Sequence, residues 1–413
     1  MFAGVLVGWE QFPGNGNHRP GLYQRSANVE MSMRDRIGAP GTGISRREFV
    51  AVTGGVGTAA LAGCTAPAKS NPERTSSTTT QNRAQDLPTT SPPEIVDVHE
   101  QGNEVTLKSM PAVHEAHPLD TMGGPVELPR VWAFQADDGD PSVPGPIIRT
   151  VEGEDIEVTL DNTDGKRPHT LHFHGAQKAW MDDGVPTTTG IRVDAGEKHT
   201  YTIPANVPGT HVYHCHYQTH RHIDMGMYGI FRVDPEGYEP ADKEYFMTVK
   251  DWDSRLNRKM AGENVDYSPR TRNPDVFTIN GKVAPRTLHP EDGSPMIVEQ
   301  GDTVRVHYVN GGYMNHPLHI HNHRFQRVEK DGGVIPEAAR HDMDITNIAP
   351  AERHTIEFEA DSEPGIYLMH CHKVNHVMNG SYYPGGMLTG IVYKEVMDTD
   401  IFSQLMEYAG YEA

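Results

Sequence analysis

The chain has 413 residues and a formal charge of -20, with 41 glycines, 31 prolines and 8% aromatics. That length allows a leader and two domains of about 150 residues, and the Gly/Pro content favours a turn-rich β protein over a helical bundle. So acidic a chain excludes nucleic acid as a partner, because phosphate contacts need clustered Lys and Arg, and three cysteines, Cys64, Cys215 and Cys371, are too few for a disulfide framework.

At the N-terminal end, Arg46-Arg47 precede a short Gly/Ala-rich apolar run, Ala51 to Ala62. The run is too short to span a bilayer, which takes about 20 apolar residues. A twin arginine ahead of such a run resembles a Tat export signal, and Leu61-Ala62-Gly63-Cys64 resembles a lipobox with Cys64 as the lipidated residue. Residues 1–63 are therefore expected to be a Tat-type lipoprotein signal segment. Residues 64–93, rich in Ser, Thr, Pro and Asn, read as a flexible tether. This predicts a protein on the outer face of the cell membrane, touching the membrane only through a lipid anchor.

Beyond residue 94 one pattern occurs twice. Gly153 to Asn162 alternates apolar and polar residues as a half-buried strand does, and Gly301 to Asn310 does the same at the same length. Each is followed within seven residues by a His-x-x-His-x-His run: His169, His172 and His174, then His316, His319 and His321. Farther on, His214-Cys215-His216 follows Gly209, and His370-Cys371-His372 follows Gly365, each glycine six residues before its cysteine. With strands recurring between Gly/Pro/Asn turns and little helical period, the expectation is an all-β chain of two tandem Greek-key barrel or sandwich domains, 94–236 and 237–396. A tail at 397–413 carries one short helix between Ile401 and Tyr411.

Side chains alternate faces along a strand, so His172 and His174 share a face, as do His319 and His321. Phe173 and Ile320 then face the core. In each Cys loop two histidines point one way and the cysteine the other, presenting imidazoles to one metal centre and a thiolate to a second. In domain 1, His169, Cys215, His220 (five after the cysteine) and Met225 (ten after) make a trigonal His2Cys set with a weak thioether, the donor set of blue copper. Zinc is disfavoured, since its structural Cys/His sites use two or more thiolates or compact paired spacings. Domain 2 offers His316, Cys371 and His376. Ser381 stands where a tenth-position methionine would be, leaving Met387 as the favoured axial residue and Met378 as the other candidate.

These motifs resemble those of the multicopper oxidase family over about residues 125–395, and the two-domain length is similar to the two-domain laccases. The resemblance implies cupredoxin-like domains and a homotrimer, with each trinuclear cluster held between domain 1 of one subunit and domain 2 of the next. It implies His172 and His319 on a type 2 copper, and His174, His214, His216, His321, His370 and His372 on a type 3 pair. Type 1 copper is implied in domain 1 and, from the ligands present, in domain 2. The implied reaction is one-electron oxidation of a phenolic or metal-ion donor, a small reducing substrate, coupled to four-electron reduction of dioxygen to water. Asp183, in Asp182-Asp183-Gly184-Val185-Pro186, matches the family's proton-delivering aspartate, while Gln218 and Val374 stand where a second acid is often found. The rival enzyme is a copper-containing nitrite reductase, also a trimer of two such domains, whose second domain usually lacks His-Cys-His. A copper store or electron carrier without turnover needs only one site, so eight further imidazoles fit it poorly.

Overall fold

The computed structural model describes residues 87–411. The twin-arginine segment, Cys64 and the tether as far as residue 86 lie outside the described residues. The fold is all-β and cupredoxin-like, with few and short helices.

Two sheets are built from the first half. One runs Ile95–Asp97, Ile147–Val151, Tyr228–Asp234, Gly209–His214, His172–Phe173, and the other Val126–Ala136, Glu104–His117, Asp155–Asp161, Lys198–Pro204. The second half repeats the scheme. Met296–Val298, Leu388–Tyr393, Ile366–Cys371, His316–Ile320 and Ile345–Ile348 form one sheet; Val276–Ile279, Lys243–Trp252, Thr303–Asn310, Arg353–Glu359 and Phe325–Lys330 lead the other. The correspondence extends to direction and register. His172 pairs with His214 and His319 with His370 across antiparallel strands, while Glu104–His117 and Lys243–Trp252 run parallel to Asp155–Asp161 and Thr303–Asn310. Among the described residues, no sheet takes strands from both halves.

Local sequence explains the elements. Gly153 and Gly301 turn the chain into the two equivalent strands at φ of 91° and 93°, a left-handed conformation that costs a residue with a Cβ about 1 kcal/mol or more. In Asp155–Asp161, buried Ile156, Val158 and Leu160 alternate with Asp155, Glu157 and Thr159, which are exposed or half-buried, and they pack with Phe173, Tyr213 and Phe231 into the first core. Val304, Val306 and Tyr308 pack with Ile320, Phe325 and Met369 into the second. From Val306 to Asn310 the strand Thr303–Asn310 is buried on both faces, because His307 and Val309 meet the other half.

That contact between halves is partly apolar, with Ile147, Val212 and Ile230 against Phe246 and Val309. It is also ionic: Arg232, 1% exposed, reaches Asp234 at 2.7 Å and Glu329 at 3.1 Å. Removing one partner of so buried a pair leaves an uncompensated charge, which costs about 3–5 kcal/mol. The helix Ser254–Met260, which follows Lys243–Trp252, lies on Val126–Ala136 of the first half. Its Leu256 is buried in the first core, and Asn257 Nδ2 donates to the Arg130 carbonyl at 2.8 Å. The C-terminal helix is Asp400–Ala409.

Candidate metal centres

Each half brings one buried thiol between two imidazoles. In the first half, Cys215 Sγ lies 3.1 Å from His222 Nδ1 and 3.9 Å from His169 Nδ1, and the two nitrogens are 3.2 Å apart. In the second, Cys371 Sγ lies 3.4 Å from His376 Nδ1 and 3.8 Å from His316 Nδ1, again with 3.2 Å between nitrogens. All six side chains are buried, and in each trio the ligand atoms lie within 4.8 Å of one another. Two imidazole nitrogens and one sulfur pointing into a common space form a donor set that suits copper over hard cations.

Two expected ligands are corrected. His220 is exposed, and His222 takes the position expected of it. The cause is the short helix Thr219–His222, entered through Gln218 at φ 47°, which turns residue 220 outward and residue 222 back onto the thiol. Met225 is displaced in the same way. In the second half the Cys371 amide donates to the Met387 carbonyl and the Met387 amide to the His376 carbonyl. In the first half Met227, not Met225, makes both bonds, with Cys215 and His222; the Met225 carbonyl instead accepts from Trp132. Met227, fully buried, is therefore the residue equivalent to Met387. The dipeptide Gly226-Met227 matching Gly386-Met387 was the available signal.

On the opposite face of each Cys strand sit four further histidines. His172, His174, His214 and His216 have neighbouring ring centroids 5.1–5.7 Å apart. His319, His321, His370 and His372 repeat this at 5.0–5.7 Å. In both halves one pair brings Nε2 to Nε2 at 3.1 Å: His174 with His214, His321 with His370. His214 and His370 place Nδ1 3.1 Å from the carbonyls of the adjoining cysteines. His172 Nδ1 donates to the Asp183 carbonyl at 2.7 Å, and His319 Nδ1 to the Asp344 carbonyl at 2.8 Å. Those bonds fix the tautomer and leave Nε2 free for a metal. The Asp183 carboxylate lies 3.4 Å from His172 Nδ1 and 3.1 Å from Lys178 Nζ. Asp344 escaped sequence reading because it follows His319 by twenty-five residues, against eleven between His172 and Asp183.

Burial sets the protonation. It holds His169 and His376 down to about 4 and His222 to about 2, so they are neutral donors at pH 7. It pushes the Cys215 thiol up to about 12 and Cys371 to about 11. A metal entering either site must displace that proton, so loading releases acid. The second half has one further charged partner, unread in the sequence: fully buried Asp251 accepts from His316 Nε2 at 3.3 Å and from the amides of Tyr313 and Met314 at 2.8 Å. Burial opposes its ionisation, but the His316 bond and the Lys250 charge hold it well below the usual carboxylate range.

Two fused β-sandwiches, each with a buried His2Cys trio backed by four imidazoles, define a duplicated cupredoxin-type metal protein. Comparisons agree. Family models described as multicopper oxidase match residues 138–237 and 265–384. The blue copper oxidase of Nitrosomonas europaea is 29% identical, with a TM-score of 0.60 over 72% of this chain and 87% of its own. Multicopper oxidase mgLAC is 30% identical, with the same TM-score and coverages. A copper-containing nitrite reductase of Neisseria meningitidis is 29% identical over 63% of this chain and 63% of its own, so the chain spans under two thirds of that curated relative. The chain belongs to the multicopper oxidase family, and copper is its cofactor.

Proposed function

We propose that the chain is a laccase-like oxidase that takes single electrons from a phenolic or metal-ion donor and delivers four to dioxygen, forming two waters. The observation that carries this reading is that both halves, not one, combine a His2Cys trio with four imidazoles on the adjoining face. Copper in the trios (type 1) and in the tetrads (types 2 and 3) would supply one-electron transfer and the reduction of oxygen. The residues supply the rest. The peptide links from Cys215 to His214 and His216, and from Cys371 to His370 and His372, provide a covalent path between a trio and a tetrad. Neutral buried imidazoles hold position without repelling a cation. Asp183, with about a third of its side chain exposed beside His172, is placed to pass a proton from water toward the tetrad.

Within one chain, among the described residues, no ring or hydrogen-bond contact joins the tetrad of one half to that of the other, and most of their histidines are only half-buried. Exposed apolar residues border both: Trp180 and Met181 beside Asp183, and Ile345 and Val374 beside His319 and His372. These faces support a homotrimer in which neighbouring copies complete each cluster. Arg46-Arg47 and Cys64 support export and a lipid anchor, and among the described residues no helix is long and apolar enough to cross a membrane.

Nitrite reduction is the second reading, supported by the Neisseria relative. The test is oxygen uptake with a phenolic donor, alongside nitrite turnover with the same donor and a copper count. Four electrons consumed per oxygen, with about five coppers per chain, is the expected result. Nitrite turnover without oxygen uptake, at about two coppers per chain, would overturn it.

A further inference from the structure

The two thiolate sites differ in what lies behind the first imidazole of each His-x-x-His-x-His run, His169 or His316. His316 is 0% exposed and its Nε2 is taken by Asp251, which is itself ion-paired with Arg272 at 3.4 Å. His169 has no such partner among the described residues, and its ring forms part of the wall of a cavity of about 210 Å³. Its other walls include Arg130, Trp132, Lys166, Arg167 and, from the second half's helix, Met260. Arg167 lies over the Trp132 ring at 5.2 Å, and Trp132 stands edge-on to His222 at 4.6 Å and to His169 at 6.1 Å.

The charge of this cavity runs against that of the molecule. In a chain of net charge -20, three cations converge here, and none of them forms an ion pair among the described residues. Arg130 Nε is buried with no hydrogen-bond partner there. Burial, then the like charge of Arg167, pushes the Arg130 guanidinium below its usual range. Unpaired guanidinium groups beside an aromatic wall are suited to a planar anion, through forked hydrogen bonds and stacking. The volume is that of a single substituted ring.

We propose that electrons reach this protein through the domain 1 thiolate site, from a small phenolic carboxylate whose carboxylate is held by Arg130 and Arg167 and whose ring lies against His169. The proposal rests on the oxidase reading and names its donor class. Copper(II) held by His169, Cys215 and His222 would accept one electron from the phenol and become copper(I). The donor leaves as a phenoxyl radical, and its hydroxyl proton passes to bulk water through the mouth of the cavity.

Syringate and its neutral methyl ester test the charge. For the copper-loaded protein, KM for syringate is expected to be about tenfold or more below that for the ester. Arg130→Gln with Arg167→Gln should erase the difference by raising KM for syringate alone. Calorimetric titration of copper-free protein should show the same preference and the same loss. No preference for syringate in either measurement, or a preference that survives both substitutions, overturns the proposal. Binding that follows the prediction without oxygen uptake would sink the oxidase reading and leave the pocket standing. Stopped-flow reduction without oxygen tests the location. Domain 2 absorbance in Cys215→Ser should bleach more than about tenfold slower than domain 1 absorbance in Cys371→Ser, and equal rates would overturn it.

Discussion

The two halves hold trios with similar donor spacings, yet their surroundings have diverged. In the second half Asp251 grips His316 and neighbouring backbone amides, closing the site behind a buried carboxylate. In the first half the equivalent imidazole, His169, meets a cavity walled by Arg130, Lys166 and Arg167, which form no ion pair among the described residues. Ligand geometry is thus maintained by the strand and Cys-loop framework common to both, whereas access is decided by residues outside it. A duplicated fold can keep one chemistry twice and still assign it two roles.

The comparison can be broken most decisively at His222. His222→Ala should abolish the blue thiolate-to-copper absorbance of domain 1 and leave that of domain 2, while His220→Ala should leave both, read in visible spectra of each variant in a Cys371→Ser background and alone. A domain 1 band lost in His220→Ala instead would make His220, not His222, the ligand. Asp251→Asn is expected to have a smaller effect, lowering copper affinity of the second trio about 10–100-fold and sparing the first. Chelator competition followed at each band measures this, and equal losses would erase the asymmetry. The smallest effect concerns the interface that both halves share. There, burial raises the pKa of Glu244, but the His307 ring, its Nε2 3.6 Å away, and a hydrogen bond from Tyr238 outweigh it and hold the carboxyl down to about 2. A depressed folded-state pKa stabilises above the unfolded value of 4.5 and loses that contribution as pH falls toward 2. The Tm advantage of wild type over Glu244→Gln, a few degrees, should therefore narrow between pH 5 and 3. A gap that stays constant with pH would show that the carboxylate charge is not involved.

Much of this is legible in the amino-acid sequence. The period-2 spacing of His172 with His174 and of His319 with His321, and the placement of Cys215 and Cys371 between histidine pairs, fixes which side chains share a face, because strand alternation leaves no freedom. The duplication also exposed the all-β organisation. What spacing alone did not resolve lies in loops. Between Cys215 and the second imidazole the chain winds one helical turn, whereas the loop after Cys371 makes a tighter 3-10 turn, Val374–His376. Counting residues along an extended chain therefore selected His220 correctly by analogy and wrongly in space, and it carried Met225 along with it. Asp251 was invisible for another reason: it lies sixty-five residues before His316, on a strand whose sequence gives no sign of a metal-site partner.

The helix Ser254–Met260 belongs by sequence to the second half but closes the core of the first with Leu256. A fragment ending after Asp234 would lack that plug and one wall of the donor cavity, and the hole left by Leu256 alone corresponds to the roughly 2–5 kcal/mol lost when a buried leucine is truncated. The modules therefore cannot be separated at the seam between their sheets. A minimal single-barrel version must carry this borrowed helix with it, or a redesigned substitute.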